Sequence, residues 1–353
     1  MSVYTEFGSL KKVIVGNCPI EVDSSLNLNK SQKKLLDRIL LETKEDLDFL
    51  EKTLKKLNVI VLRPEIVKYP GKMLLSDMAI NFPIYPLIPR DQYFVYDKII
   101  FQSYTSLPDR YFDSLSYYKI FNDLFKNGFN WISSPPPLLT NLNSDSWWVN
   151  GKEIYNQHCD KLLWHSATFF KCGSDIIVND KGPGTLLGLE WYKKNIKAKF
   201  IVNKNTCCEQ FGHIDHGFFM TNENLVIGLK NWIPECLKNK NVILIDDLIE
   251  IAPIEEITNS KSQYSSRYDF DWMSKWLTQW RGYSQDVCFD TNVLVVNNNT
   301  IIFANHQPHL FKTLEKSGIQ CIVCPLRHGG FWESGIHCLT LDVERQDDFS
   351  KII

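Results

Sequence analysis

The sequence predicts one α/β domain spanning residues 1–353. Three observations carry that expectation. Short apolar runs closed by turn residues recur from end to end, amphipathic helical stretches alternate with them, and no Pro/Gly/Ser linker or low-complexity tract divides the chain. At about 150 residues per domain the length admits one large domain or two ordinary ones, and the unbroken alternation favours one. A hydrophobic fraction of 44% supplies a large core and excludes disorder as the main state.

The elements follow in order. KKVIVGN (11–17) reads as a buried strand ended by Gly16 and Asn17. From Ser31 to Leu57, Leu35, Leu36, Ile39, Leu40, Leu47, Leu50 and Leu54 recur at helical spacing between Lys and Glu, which predicts an amphipathic surface helix or a helix pair. KIIFQS (98–103) is the next strand, 115–127 the next helix, and the triple proline at 135–137 sits in a short connection. SDIIVND (174–180) precedes a helix at 185–195, NLVIGLKN (224–231) is again a strand, and SKSQYSSRYD (260–269) is the most loop-like stretch. TNVLVVNNN (291–299) and a helix at 308–317 complete a set of weakly similar strand-helix units.

Composition excludes several classes of function. With 39 basic residues, 41 acidic ones and no basic stripe, nucleic acid is not an expected partner. No apolar run approaches the roughly 20 residues of a membrane span, and MSVYTEFGSLKK is not signal-like, so the expectation is a cytoplasmic protein with no membrane partner. Ten cysteines dispersed through so long a chain read as buried thiols rather than a disulfide frame. Cys321 and Cys324 have metal-like spacing but lie in the apolar run GIQCIVCPL without a second pair, and a strand is expected there. KGPG (181–184) is neither a dinucleotide fingerprint nor a P-loop.

Three segments combine ionisable residues with turns: Pro89-Arg90-Asp91, the run Phe211 to Gly217 (FGHIDHG), and the run Gly329 to Cys338. Each alone has an ordinary structural explanation. Together they supply a cysteine nucleophile, a histidine to move protons and carboxylates to hold a cation. Metal is the competing use of the histidines, because His213 and His216 are three apart with Glu209 nearby. The spacing is not HExxH, however, and a strand there would point the two rings to opposite faces, so no metal is expected. No GxSxG occurs, which argues against a serine hydrolase.

These segments, in this order, resemble the amidinotransferases that move an amidino group from arginine to an amine. That is the glycine amidinotransferase type, within the wider pentein group that includes arginine deiminases. The resemblance rests on Pro89-Arg90-Asp91, Ala167 with Gly173-Ser174-Asp175-Ile176, Leu187-Gly188-Leu189-Glu190-Trp191, His213-Ile214-Asp215, Thr291-Asn292-Val293-Leu294, and GIHCLTLDV from Gly335 to Val343. It runs from about residue 85 to 345, and YTEFGSLKKVIVG (4–16) is similar to the family's opening strand. What it implies is an α/β-propeller: five ββαβ-type units about a pseudo-fivefold axis, with the site at the centre.

The resemblance also implies a chemistry and its residues. Arginine's guanidinium is planar and always cationic, so two carboxylates clamp it, and Asp91 and Asp215 occupy those positions. Cys338 is the nucleophile that takes the amidino group, and His213 gives a proton to departing ornithine and later removes one from the acceptor amine. Asn292 and Arg110 carry over as substrate-binding positions. The cycle is ping-pong, needs no cofactor, and has small molecules as its partners; a homodimer is a family expectation. One departure stands out. Where the family has Phe-Asp-Ala-Ala, with the Asp supporting the catalytic His, this chain reads Trp164-His165-Ser166-Ala167, and a further acidic position is Thr168. His165 is therefore expected to point into the site, either contacting His213 or reshaping the pocket, and Asp160 and Glu153 lie upstream as carboxylates that could compensate. The alternatives are a guanidine hydrolase of the arginine deiminase type and a non-catalytic binder of guanidino ligands. The acceptor stays open among glycine, other amino acids, aminocyclitols and polyketide-derived amines, because SQDVCFDTN (284–292) matches the family only at Thr291-Asn292.

Overall fold

The structure, a computed structural model, describes residues 1–22, 28–68, 73–75, 78–80, 85–105, 110–138, 159–180, 184–204, 212–246, 248, 291–332, 334–347 and 349–353. The loop expected at 260–269 and most of KGPG lie outside the described residues, as do Glu153, Glu209 and the 284–290 part of the acceptor segment.

Among the described residues five three-stranded sheets repeat one plan, and each strand run read from the sequence is a strand in it. Two antiparallel strands joined by a tight turn are followed by a crossover to a third strand that pairs in parallel with the second. β5 (Tyr93–Tyr96), β6 (Ile99–Gln102) and β7 (Asn130–Ser133) form one sheet, with α2 (Asp113–Lys126) as the crossover. β8 (Phe169–Cys172), β9 (Asp175–Val178) and β10 (Lys199–Val202) repeat it around α3 (Leu186–Asn195). β11 (Phe218–Asn222), β12 (Leu225–Gly228) and β13 (Asn241–Leu244) use only a 3-10 turn as crossover among the described residues. β14 (Leu294–Asn297), β15 (Thr300–Phe303) and β16 (Gln320–Val323) carry α4 (Pro308–Lys316). In the fifth sheet the two chain ends meet: β17 (Thr340–Gln346) pairs antiparallel with β1 (Ser9–Val15), which pairs in parallel with β2 (Ile60–Leu62) after α1 (Lys30–Lys56). A separate hairpin joins β3 (Met73–Leu75) to β4 (Met78–Ile80).

Local chemistry explains these elements. The hairpin turns are two residues long, and Asp97 and Gly173 take the left-handed conformation that such turns require. A side chain at 173 would also meet the Ser350 carbonyl oxygen at 2.0 Å. α1 is one continuous helix, not a pair. The Asn29 side chain accepts from the Ser31 and Gln32 amides, Gln32 returns a bond to the Asn29 amide, and Lys55 and Lys56 sit at the negative end. Its buried stripe, Leu36, Ile39, Leu40, Leu47, Leu50 and Leu54, packs with Val13, Val15, Leu294, Ile302 and Trp332. Cys321 lies within β16 and Cys324 just beyond it, buried, as strand interior predicts. Among the described residues no helix is long and apolar enough to cross a membrane.

Candidate active site

The functional side chains sit on the turns that enter the first strand of each sheet. Asp91 ends a 3-10 turn (Pro89–Asp91) two residues before β5, and His165 caps another (Ser166–Thr168) before β8. His213 caps a third (Ile214–His216) before β11. Asn292 and Cys338 each lie two residues before their strands, β14 and β17. The plan that repeats around the fold therefore delivers one short polar segment per sheet to a common centre.

The turn at 214–216 corrects an expectation. Residues 213–216 are not a strand, because the Gly217 amide closes the turn on the Ile214 carbonyl before pairing begins at Phe218. His213 and His216 consequently lie near each other rather than on opposite faces, with ring centroids 5.5 Å apart.

Cys338 is buried and its Sγ is held from two sides. The Asn292 amide donates to it at 3.0 Å while the Asn292 Oδ1 accepts from the Cys338 backbone N–H at 3.0 Å. Asp215 Oδ2 stands 3.4 Å from Sγ. Gly335 makes this possible, since a Cβ there would come within 2.6 Å of the Asn292 side chain. Burial, then Asp215 and Asp91, push the thiol well above its ordinary pKa, and the Asn292 bond and Arg90 offset only part of this.

Asp91 and Asp215 are both buried carboxylates whose pKa values are lowered by the groups behind them. Arg110 Nη1 donates to Asp91 Oδ2 at 2.5 Å and its Nε to Asp113 at 2.9 Å. Burial pushes Asp91 up, but Arg110, with His213 and His165, outweighs it and leaves the pKa lowered. His337 Nδ1 donates to Asp215 Oδ2 at 2.7 Å, and the same balance leaves Asp215 well below the usual carboxylate range. The second oxygen of each, Asp91 Oδ1 and Asp215 Oδ1, is buried with no hydrogen-bond partner among the described residues. His216 Nε2 stands 4.0 Å from Asp215 Oδ1, and a buried carboxylate oxygen without a hydrogen bond is costly unless a cation is to be held there.

His165 Nδ1 lies 3.2 Å from His213 Nε2, so one ring must donate and the other accept. Burial pushes His165 down to about 3, and Asp91 only partly opposes this, so its imidazole is neutral at ordinary pH. One ligand-type atom each of Asp91, His165 and His213 lie within 4.8 Å of one another, which makes Asp91 the carboxylate of this corner. Asp160, by contrast, is exposed and pairs with Lys161.

Arg110 and Asn292, both expected to bind substrate, are engaged within the protein: Arg110 backs Asp91 and Asn292 holds Cys338. Sequence reasoning missed the layer below. Arg90 Nε donates to the carbonyls of His337 (2.9 Å) and Thr340 (3.1 Å), and its Nη2 to Asp342 at 3.1 Å. Lys171 reaches Glu6 at 3.0 Å, Arg345 reaches Asp342 at 3.0 Å, and His337 Nε2 stands 3.3 Å from Glu6. Burial raises the Glu6 pKa, but Lys171, Arg90 and His337 hold it well below the usual value. Arg90 and His337 were visible as neighbours of Asp91 and Cys338 in their motifs; nothing local marked Glu6 or Lys171.

No family model matches the chain. It is 25% identical to inosamine-phosphate amidinotransferase 1 of Streptomyces griseus over 98% of this chain and 97% of that one. It is 22% identical to the mitochondrial glycine amidinotransferase of Gallus gallus (97% and 82% covered) and 22% to the L-arginine:L-lysine amidinotransferase of Pseudomonas savastanoi pv. phaseolicola (97% and 94%). Among solved structures it resembles SxtG, an amidinotransferase from Microseira wollei, with a TM-score of 0.77, 18% identity and 100% and 99% coverage. The inosamine-phosphate amidinotransferase of Streptomyces griseus gives 0.75 at 23% identity, covering 99% and 98%. A dimethylarginine dimethylaminohydrolase gives 0.53 at 11%, covering 94% and 99%. Over its whole length, this chain is similar in sequence to amidinotransferases and shares the fold of their solved structures.

Proposed function

We propose that the protein transfers the amidino group of L-arginine, or a related guanidine donor, to an amine through a covalent adduct on Cys338. The observation that carries this reading is a pair of buried carboxylates around His213, Asp215 close to Cys338 and Asp91 on the His165 side, each with one oxygen lacking a hydrogen bond among the described residues. A planar guanidinium offers N–H donors to both, and its charge is compensated by theirs. The same charge stabilises a thiolate that the empty carboxylate pair disfavours, so the nucleophile is activated by the donor it attacks. As the donor binds, the Cys338 thiol passes its proton to His213, Sγ bonds to the guanidinium carbon, and His213 hands that proton to the leaving amine as its C–N bond breaks. In the second half an acceptor amine attacks the adduct, gives its proton to His213, and the thiolate leaves.

Whole-length similarity to amidinotransferases, with much weaker fold agreement to a hydrolase, supports transfer to an amine over transfer to water. Pairing of β17 with β1 supports reading residues 1–353 as one domain. Those relatives are named for three different amines, so their names select no acceptor here, and a cytoplasmic location is likewise part of the proposal. Incubation with arginine should release ornithine and leave an amidino-sized mass gain on Cys338, and Cys338→Ser should abolish both with the fold intact. Ornithine release by that variant at a near-normal rate would remove the mechanism. Citrulline in place of transfer, in the presence of a panel of amines, would identify a hydrolase.

A further inference from the structure

We infer that the same centre is a binding site for a thiophilic divalent cation of the zinc class, which blocks it reversibly. One ligand-type atom each of His213, Asp215, His216 and Cys338 lie within 4.8 Å of one another. Asp215, His216 and Cys338 are buried. One sulfur, two imidazole nitrogens and one carboxylate oxygen form the donor set that suits Zn²⁺ and disfavours Mg²⁺ or Ca²⁺, which take oxygen. Four ligands at about 2.0–2.3 Å from a tetrahedral ion stand roughly 3.3–3.8 Å apart. The observed spread therefore closes by side-chain movements of about an ångström. The 3-10 turn is what brings the second imidazole in: in a strand His216 would face away from His213.

Two further features suit a cation. Asp215 Oδ2 accepts from His337 Nδ1, which orients the carboxylate and leaves Oδ1 without a hydrogen-bond partner among the described residues. Asp91, close to His213, adds a second negative charge at the site. On binding, a Zn–S bond forms as the Cys338 S–H bond breaks, and the proton goes to solvent. No electron is transferred. All four positions are then filled by protein, so the ion has no open site for catalysis. It occupies the nucleophile and Asp215 at once, and a guanidinium and the ion exclude each other.

Co²⁺ in place of Zn²⁺ gives an optical test on the full-length protein that needs no turnover. One equivalent should produce a sulfur-to-cobalt charge-transfer band and the visible bands of a tetrahedral ion, and arginine or Zn²⁺ should bleach them. Cys338→Ser should lose the charge-transfer band. His216→Asn should weaken binding by more than the roughly 10–100-fold that loss of an outer-shell partner costs. Circular dichroism reports whether each variant folds, and Asp215→Asn serves if His216→Asn does not. Absence of the band in the wild-type protein, or a band unchanged in Cys338→Ser or in the His216 or Asp215 variant, would overturn the site; the exposed Cys159 is where such a band would then be sought. Loss of ornithine release with Zn²⁺ and its return with chelator is a separate arm that rests on the proposed function. Cobalt bands without any ornithine release would sink that function and leave the metal site standing.

Discussion

Each carboxylate of the proposed clamp is built from two unequal oxygens. Oδ2 of Asp91 is tied to Arg110 and Oδ2 of Asp215 to His337, while the other oxygen of each is left over. An amide at either position keeps the shape but removes the charge. Truncating one partner of a buried charge pair costs roughly 2–5 kcal/mol, so Asp91→Asn and Asp215→Asn should each lower kcat/KM for arginine at least tenfold. Unchanged kinetics in Asp91→Asn would remove that carboxylate from the clamp. His165 is the residue at which this chain departs from the family pattern, and it touches His213. His165→Asp should keep or raise turnover of arginine, because a carboxylate accepts the same bond and favours the charged imidazole. His165→Leu, which removes the bond, should lower kcat more than KM changes. Equal rates in all three proteins would reduce His165 to a packing residue.

At the scale of elements, α1 does more than cover a sheet. It fastens the segment that leads into Cys338. Arg327 donates from its backbone and Nε to Asp46 at 2.7 Å each, His328 meets Glu42 at 2.7 Å, and Trp332 Nε1 donates to Thr43 at 2.8 Å. Burial pushes His328 down to about 4, with the Glu42 bond opposing it in part. The unfolded chain takes up that proton near pH 6.5 and the folded one only near 4, so this histidine makes the protein lose stability as pH falls through that window. Asp46, raised by burial to about 6 against the pull of Arg327, acts in the opposite sense below pH 6. His328→Asn should therefore reduce the fall in Tm between pH 7 and pH 5, removing up to about 1.4 kcal/mol per pH unit. A fall as steep as in the wild-type protein would show that the imidazole is already charged.

Elements such as α1 were legible in the sequence because caps and apolar spacing are local. The 3-10 turn at 214–216 was not. HIDH offers strand-like composition, and only the tertiary placement of β11 decides where pairing starts. Cys338, Asp91, Asp215 and His213, which the fold brings to one centre, were visible through their motifs. What lies beneath was invisible, because Glu6 meets His337 across 331 residues and Lys171 of β8 reaches across to Glu6 and Asp342 in the β17-β1-β2 sheet and the segment before it.

Over the whole molecule, that hidden layer is an ionic hub. Glu6, Asp342 and Asp215 are matched by Arg90, Lys171, Arg345 and His337, drawn from four of the five sheets and the turns before them. Asp342 touches three of the cations, and burial of its carboxyl is outweighed by Arg345, Arg90 and Lys171, which leave the pKa lowered. Breaking a buried ion pair from one side costs about 3–5 kcal/mol, and Asp342→Asn strands several charges together. Its urea midpoint should fall by more than that of Asp215→Asn, with the loss shared by every sheet in one transition. A fall of less than about 1 kcal/mol would mean that water reaches the hub.

The pairing of β17 with β1 also has a meaning in time. Cys338 lies two residues before β17, which pairs with β1, and the Gly16 amide donates to the Leu339 carbonyl at that seam. Its partners Asn292 and Asp215 lie 46 and 123 residues earlier. A chain emerging from the ribosome can thus complete four sheets and still hold no assembled centre. Cys338 meets Asn292 and Asp215 only once β17 has docked on β1, so a chain that lacks that strand holds no assembled centre.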